Sequence, residues 1–310
     1  MIKPLSLKNG SKIALIAPAS GFNRDKFVKG IALWEKEFGL IFTHREDIFE
    51  TEDYLAGSDE RRVNELNEAF SSDAIDGIFL VRGGYGSSRL MPKIDWEALK
   101  KKPKVVCGFS DATILLNQIT SQTEVVTFHG LMPATEAGNS PNEKEIEFFK
   151  HCLFSGSPMG FVASSSYFAL VEGEAEGAIV GGNLCLLAST LGTSYEINLK
   201  NKILFIEDVN EAPYRIDRTL TQLNHAGKLS ECLGIICGSF NERDQTFTRE
   251  REDEYFRAVM RGLEGIKIPV LAGFPAGHGS IQGTFPIGVQ VRLTSKSTDS
   301  SVEFLESGVL

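Results

Sequence analysis

Along the first half of the chain, short runs rich in Ile, Val and Phe alternate with longer stretches whose apolar positions recur every three or four residues. Short apolar runs bounded by Gly, Pro or charged residues suit strands buried on both faces, and they fall at Ile13–Pro18, Ile41–His44, Gly77–Val81, Val105–Gly108 and Val125–Phe128. Between them the period lengthens, which predicts helices near Arg24–Phe38, Glu60–Phe70, Asp111–Ser121 and Asn142–Phe154. In the second of these, Val63, Leu66, Ala69 and Phe70 share the face that would pack on a sheet. Strands and helices in alternation predict a parallel sheet covered by helices, hence an α/β domain over residues 1–154.

The periodicity lapses over residues 155–169, where SGSPMGFVASSS is dominated by Ser, Gly and Pro and predicts a linker. Beyond it come strands at Ile203–Ile206, Leu233–Gly238 and Val270–Ala272 and helices at Ile216–Gly227 and Glu254–Leu263. The alternating runs VQVRLTS and SVEFLE, separated by KSTDS, predict a terminal hairpin. The expected architecture is a flavodoxin-like parallel-sheet domain followed by a mixed, β-rich domain at 170–310.

Composition narrows the class without changing this picture. With 310 residues, 42% hydrophobic and 24% charged, the chain can bury a sizeable core. A net charge of −9 and 41 carboxylates, with no Lys/Arg cluster, argue against a nucleic-acid partner. No apolar run approaches the length needed to span a bilayer, so no membrane partner is expected. The opening MIKPLSLKNGSKIALIAPAS reads as a first strand and not as a cleavable leader, since no basic segment feeds an apolar one. The 5 cysteines are scattered and without C-x-x-C spacing, which fits reduced thiols in a cytoplasmic protein and offers no zinc site.

The sharpest chemical signal is KVVCGFSDATILLNQI, a buried strand followed by Gly108, Phe109, Ser110 and a helix. A serine on a tight strand-to-helix turn has the geometry of a nucleophile elbow, although the string lacks the second glycine of G-x-S-x-G. The competing reading is a serine that caps the helix. Upstream, VRGGYGSSRL places three glycines after a strand, where backbone N–H groups can face an anion. An oxyanion hole there would use the N–H groups of Gly84 and Asp111; a tight turn without a ligand is the alternative. A serine needs a base, and among the 5 histidines His278, in the Gly-flanked loop GFPAGHGS, is the best placed, with His129 of TFHG second and a possible pocket residue. Glu207 ends the apolar run KILFIE, where a carboxylate needs a partner, and so is expected inward in preference to Asp208. Arg82 and Arg89 flank the glycine loop and could hold a substrate carboxylate. No cofactor and no metal is expected, since H-E-x-x-H and similar spacings are missing.

With these residues assembled, the sequence resembles the LD-carboxypeptidase family, serine peptidases that cut an L-to-D amide in murein peptides. The matching segments are IALIAPAS, VRGGYGSSRLMPKIDW, GFSDATILL, GAIVGGNLCLLASTLGT, FIEDVNEAPYRIDR and AGFPAGHGS, in the family's order. The resemblance implies a triad of Ser110, Glu207 and His278, an oxyanion hole from Gly84 and Asp111, and a cytoplasmic homodimer that releases D-alanine from murein tetrapeptides in peptidoglycan recycling. One branch of the family instead cleaves an aminoacyl-adenylate antibiotic for self-immunity. A non-catalytic protein that holds a small ligand at the glycine loop is the reading from another class.

Overall fold

A computed structural model describes residues 1–241 and 249–310. Its strands are β1 (Lys12–Ile16), β2 (Ile41–Thr43), β3 (Gly77–Leu80), β4 (Val105–Gly108), β5 (Thr127–His129), β6 (Gly160–Val162), β7 (Phe168–Val171), β8 (Gly173–Asn183), β9 (Lys202–Val209), β10 (Gly234–Asn241), β11 (Val270–Ala272), β12 (Phe285–Ile287), β13 (Gln290–Ser295) and β14 (Ser301–Phe304). The chain forms two compact units. One comprises Met1–Ser157, Gly283–Gly288 and Ser307–Leu310, the other Pro158–Gln282 and Val289–Glu306.

In the first unit β1 to β5 are parallel and ordered β5-β4-β3-β1-β2, the flavodoxin-like arrangement, with β12 added antiparallel to β5. The order reverses between β1 and β3. Sheets of this kind bind ligands outside the carboxyl ends of the strands at such a reversal, because the loops there part to opposite faces. Aromatic packing holds the covering helices: Trp34 is wholly buried and meets Phe38, Phe79 and Phe149 at ring-centroid distances of 5.5, 5.7 and 5.0 Å. The helix Arg24–Phe38 carries Phe27, Trp34 and Phe38 on its buried face. It begins where the Asn23 side chain accepts the Lys26 N–H and ends at Gly39 in the left-handed conformation, φ 64°.

The second unit is built on an 8-stranded sheet ordered β6-β14-β13-β8-β9-β10-β11-β7. Strands β8 to β11 run parallel, and antiparallel strands flank them. The helices Pro213–His225 and Arg249–Gly262 cover the parallel strands. Ile216, Leu220, Leu223, Tyr255 and Val259 pack with Leu204, Ile206 and Ile235 in one core. Pro213 starts its helix at a position where a missing N–H costs nothing.

Two features escape the local pattern. The Ser/Gly/Pro stretch expected to be linker contains β6, bonded antiparallel to β14 with Val162 opposite Val302. Three residues are too few to show a period, and the partner strand supplies the order. Strand β12 likewise returns to the first sheet from far along the chain, where Phe285 pairs with His129.

Gly30 gives a test of this packing. By helix propensity alone Gly30→Ala stabilises by about 1 kcal/mol, but a Cβ there falls 2.0 Å from the Pro133 carbonyl oxygen. The variant is therefore expected to lose about 1–3 kcal/mol in urea unfolding through overpacking. A gain in stability would contradict the close approach of helix and loop.

Candidate active site

In the first unit, the loops that follow β1, β3 and β4 carry the chemistry-bearing residues. After β4, the chain turns through Phe109 and Ser110 into the helix Ala112–Thr123, and the Ser110 carbonyl accepts the Thr113 N–H at 2.9 Å. Ser110 sits at φ 63°, a left-handed conformation that a side chain adopts only under about 1–2 kcal/mol of strain. That turn brings the Ser110 side chain against Gly83. A Cβ on Gly83 would lie 2.8 Å from the Ser110 Cβ and 3.0 Å from its Oγ. The residue at the cap of this helix is Asp111, whose side chain makes no capping hydrogen bond, so helix capping does not account for the strain at Ser110.

The glycine loop after β3 is held by the loop after β1. Gly84 has φ 106°, and a Cβ there would meet the Ser20 Oγ at 2.4 Å. Ser20 Oγ accepts the Tyr85 N–H at 3.1 Å. Arg82 donates to the Gly21 carbonyl and, among the described residues, forms no ion pair. Arg89 differs, because Asp59 engages it through both carboxylate oxygens, with Nη2 to Oδ2 at 2.7 Å and Nε to Oδ1 at 2.9 Å. Its charge is already met. His129 lies 2% exposed, stacked on Phe285 with centroids 4.9 Å apart and edge-on to Phe109. Its ring is thus packed between Phe109, which precedes Ser110, and Phe285 of β12.

In the second unit, β9 delivers Glu207 and the loop after β11 delivers His278. Glu207 is fully buried, and its Oε2 lies 2.6 Å from His278 Nδ1 and 3.2 Å from the His278 backbone N–H. A carboxylate only accepts, so Nδ1 carries the proton and Nε2 is the basic nitrogen. The close approach requires Gly277, at φ 104°, where a Cβ would fall 2.8 Å from the Glu207 Cβ. From the other side, Asn241 Nδ2 donates to the His278 carbonyl at 2.6 Å.

Asp208, expected as the outward neighbour, is also buried, at 3% exposure. It accepts from Asn183 Nδ2, the Cys185 N–H and the Val209 N–H at 2.8, 2.9 and 2.8 Å. Burial, followed by the adjacent charge of Glu207, pushes its carboxyl up to about 7. Its task is to hold the start of the helix Leu184–Ser189. Ser20, Arg62, the Asp111 side chain and Asn241 have no signature in the local sequence. Ser20 and Asp111 lie within the segments IALIAPAS and GFSDATILL, and Arg62 and Asn241 within none of the matching segments.

Among the described residues no group of three or more His, Cys, Asp and Glu side chains is placed to hold a metal ion, and no helix is long and apolar enough to cross a membrane.

Two family descriptions match the chain: "LD-carboxypeptidase N-terminal domain" over residues 13–130 and "LD-carboxypeptidase C-terminal domain" over residues 176–293. A probable murein peptide carboxypeptidase of Bacillus subtilis is 35% identical over 99% of this chain and 95% of its own. A murein tetrapeptide carboxypeptidase of Pseudomonas aeruginosa is 30% identical over 89% of this chain and 91% of its own. Among solved structures, an MccF-like protein from Bacillus anthracis superposes with a TM-score of 0.87 at 27% identity, covering 99% of this chain and 100% of the other.

The contact between Gly83 and Ser110 is testable. Gly83→Ala should displace the hydroxyl while the chain remains folded, and labelling of Ser110 by a fluorophosphonate should slow on the order of 10²-fold, the cost of an ångström-scale misplacement. Unchanged labelling would mean that the hydroxyl's position does not depend on Gly83.

Proposed function

Because the chain belongs to the LD-carboxypeptidase family, we propose that it is the serine peptidase that releases terminal D-alanine from murein tetrapeptides, with Ser110 as nucleophile, His278 as base and Glu207 as its orienting carboxylate. The observation that carries this reading is the Glu207–His278 pair at 2.6 Å, which leaves Nε2 as the basic nitrogen. The strained turn at Ser110 adds a second support from the other unit.

In this mechanism His278 Nε2 takes the Ser110 proton as Oγ attacks the carbonyl of the L-centred residue. The charge that develops on the carbonyl oxygen is met by the N–H groups of Gly84 and Asp111, and the N-terminus of the helix Ala112–Thr123 adds a favourable dipole. Collapse breaks the C–N bond, and the imidazolium returns its proton to the departing D-alanine amine. A water deprotonated by His278 then hydrolyses the acyl-enzyme, which frees the tripeptide and restores Ser110. Arg82 supplies the charge for the terminal carboxylate, since Arg89 is already paired with Asp59. The family resemblance extends the proposal to a cytoplasmic homodimer that acts in peptidoglycan recycling.

Ser110→Ala and His278→Ala are each expected to lower kcat by several powers of ten with the fold retained, on the scale of about 10⁴–10⁶ seen on removing triad members. Glu207→Gln should be milder than either, because the carboxylate acts through the imidazole. Steady-state kinetics on a murein tetrapeptide measures this, and near-wild-type turnover in Ser110→Ala would remove the serine from the mechanism.

Stereochemistry provides a further test. L-Ala-D-Glu-diaminopimelate-D-Ala should lose D-alanine, as read by mass spectrometry. A pentapeptide ending in D-Ala-D-Ala presents a D centre at the scissile carbonyl and a residue where the carboxylate should dock, so it should be a poor substrate. Preferential cleavage of an aminoacyl-adenylate analogue would instead place the chain in the self-immunity branch. Inertness toward all of them would favour the ligand-binding reading.

A further inference from the structure

The peptide unit that joins Gly86 to Ser87 is gripped at both ends by buried charges. Its carbonyl oxygen accepts from Arg62 Nη1 at 3.0 Å, and its N–H donates to Asp111 Oδ2 at 2.8 Å. Arg62 and Asp111 are both wholly buried. The guanidinium faces the negative end of the peptide dipole and the carboxylate the positive end, so both contacts resist rotation of the same peptide plane. Arg62 also donates from Nη1 to the Pro18 carbonyl and is itself paired with Asp59. The approach requires a glycine: Gly86 has φ 134°, and a Cβ there would lie 2.6 Å from Arg62 Nη1 and 2.8 Å from Leu55 Cδ2.

Asp111 thus has two attachments to one function. Its backbone N–H follows the nucleophile, and its carboxylate reaches 24 residues back along the sequence to hold the loop that carries Gly84. Burial raises the carboxyl above its ordinary range, whereas the Ser87 and Gly86 donors and Arg62 favour the ionised form. A carboxylate is retained in so unfavourable a place when its removal leaves donors unmet.

We propose that the Asp111 side chain, with Arg62, is a positioning device for the oxyanion hole, which clamps the Gly86–Ser87 peptide so that the Gly84 and Asp111 N–H groups keep a fixed separation. This rests on the triad reading above and adds to it a role for two side chains outside the triad.

The test uses the full chain with the murein tetrapeptide and a tripeptide aldehyde. The aldehyde forms a hemiacetal with Ser110 whose oxygen occupies the hole. Asp111→Ala keeps its backbone N–H but loses the clamp. It should lower kcat on the order of 10²-fold and weaken the aldehyde in parallel, while KM shifts by less than about threefold, since only the transition state needs the aligned donors. Asp111→Asn retains an acceptor for the Ser87 N–H and should recover at least about tenfold of the loss. A role confined to folding would lower kcat only in proportion to the folded fraction and would leave the aldehyde affinity unchanged.

Wild-type kcat in a folded Asp111→Ala overturns the proposal. If that variant does not fold, hydrogen exchange on the unmutated chain decides: a Ser87 amide that exchanges at the rate of an open loop is equally fatal, and a protected one supports the clamp. Activity in Ser110→Ala would defeat the triad reading itself, whereas a dead Ser110→Ala beside a fully active Asp111→Ala defeats the clamp alone.

Discussion

A carboxylate taken out of water must find donors, and in this protein that requirement fixes the loops that carry the chemistry. Glu65, Asp111, Glu207 and Asp208 are exposed by no more than 3%. Each reaches a backbone N–H at or just beyond a strand end. Glu65 accepts from Ala17 after β1, Asp111 from Ser87 in the glycine loop, Glu207 from His278, and Asp208 from Cys185 after β8. Glu65 shows the cost, since burial outweighs its Arg61 partner and pushes its carboxyl up to about 7. Removing any one of these carboxylates leaves a backbone N–H unpaired as well as losing an attraction, and for Glu65 and Asp111 that N–H is buried.

Such tethering suits loops made of small residues. Ser20, Gly83, Gly84 and Gly86 have little side-chain area to pack, so hydrophobic contact cannot hold them in one conformation. Hydrogen bonds to fixed acceptors can. The oxyanion hole proposed for these loops would gain its effect from donors already aligned before charge develops, and tethering to the interior would supply that alignment without reorganisation at the moment of reaction. The same logic holds for the proposed base, where Glu207 engages both the ring and the backbone N–H of His278 and thereby restrains the tautomer and the loop together.

Topology explains where these loops can be. In the first unit the reversal between β1 and β3 brings Ala17–Ser20, Arg82–Ser87 and Phe109–Asp111 to the carboxyl ends of neighbouring parallel strands. In the second unit β8, β9, β10 and β11 are likewise parallel neighbours, and Asn183, Glu207, Asn241 and the His278 loop stand at their carboxyl ends. Helix dipoles and exposed loop N–H groups collect at that end of a parallel sheet, which makes it the favourable side for anionic intermediates.

The sequence by itself determined whatever depends on neighbours along the chain. Buried apolar runs located β3, β4 and β11, the lengthened apolar period located the helix Arg24–Phe38, and the string Gly108–Asp111 marked a tight turn from strand to helix. The apolar run before Glu207 also required an inward carboxylate to find a partner. Tertiary structure decided the rest. Arg62 reads as one more charged residue on an amphipathic helix, yet it is wholly buried and bonded to Pro18 and Gly86. Asp208 reads as the solvated neighbour of Glu207 and is buried on its own donors. His129 reads as the second candidate base and a pocket residue, and only the return of β12 shows that Phe285 stacks on its ring. Local patterns report the 3.6- and 2-residue periods and the demands of backbone dihedrals. Which buried acceptor meets which distant N–H depends on how the strands are ordered, and strand order is set only when the whole chain packs.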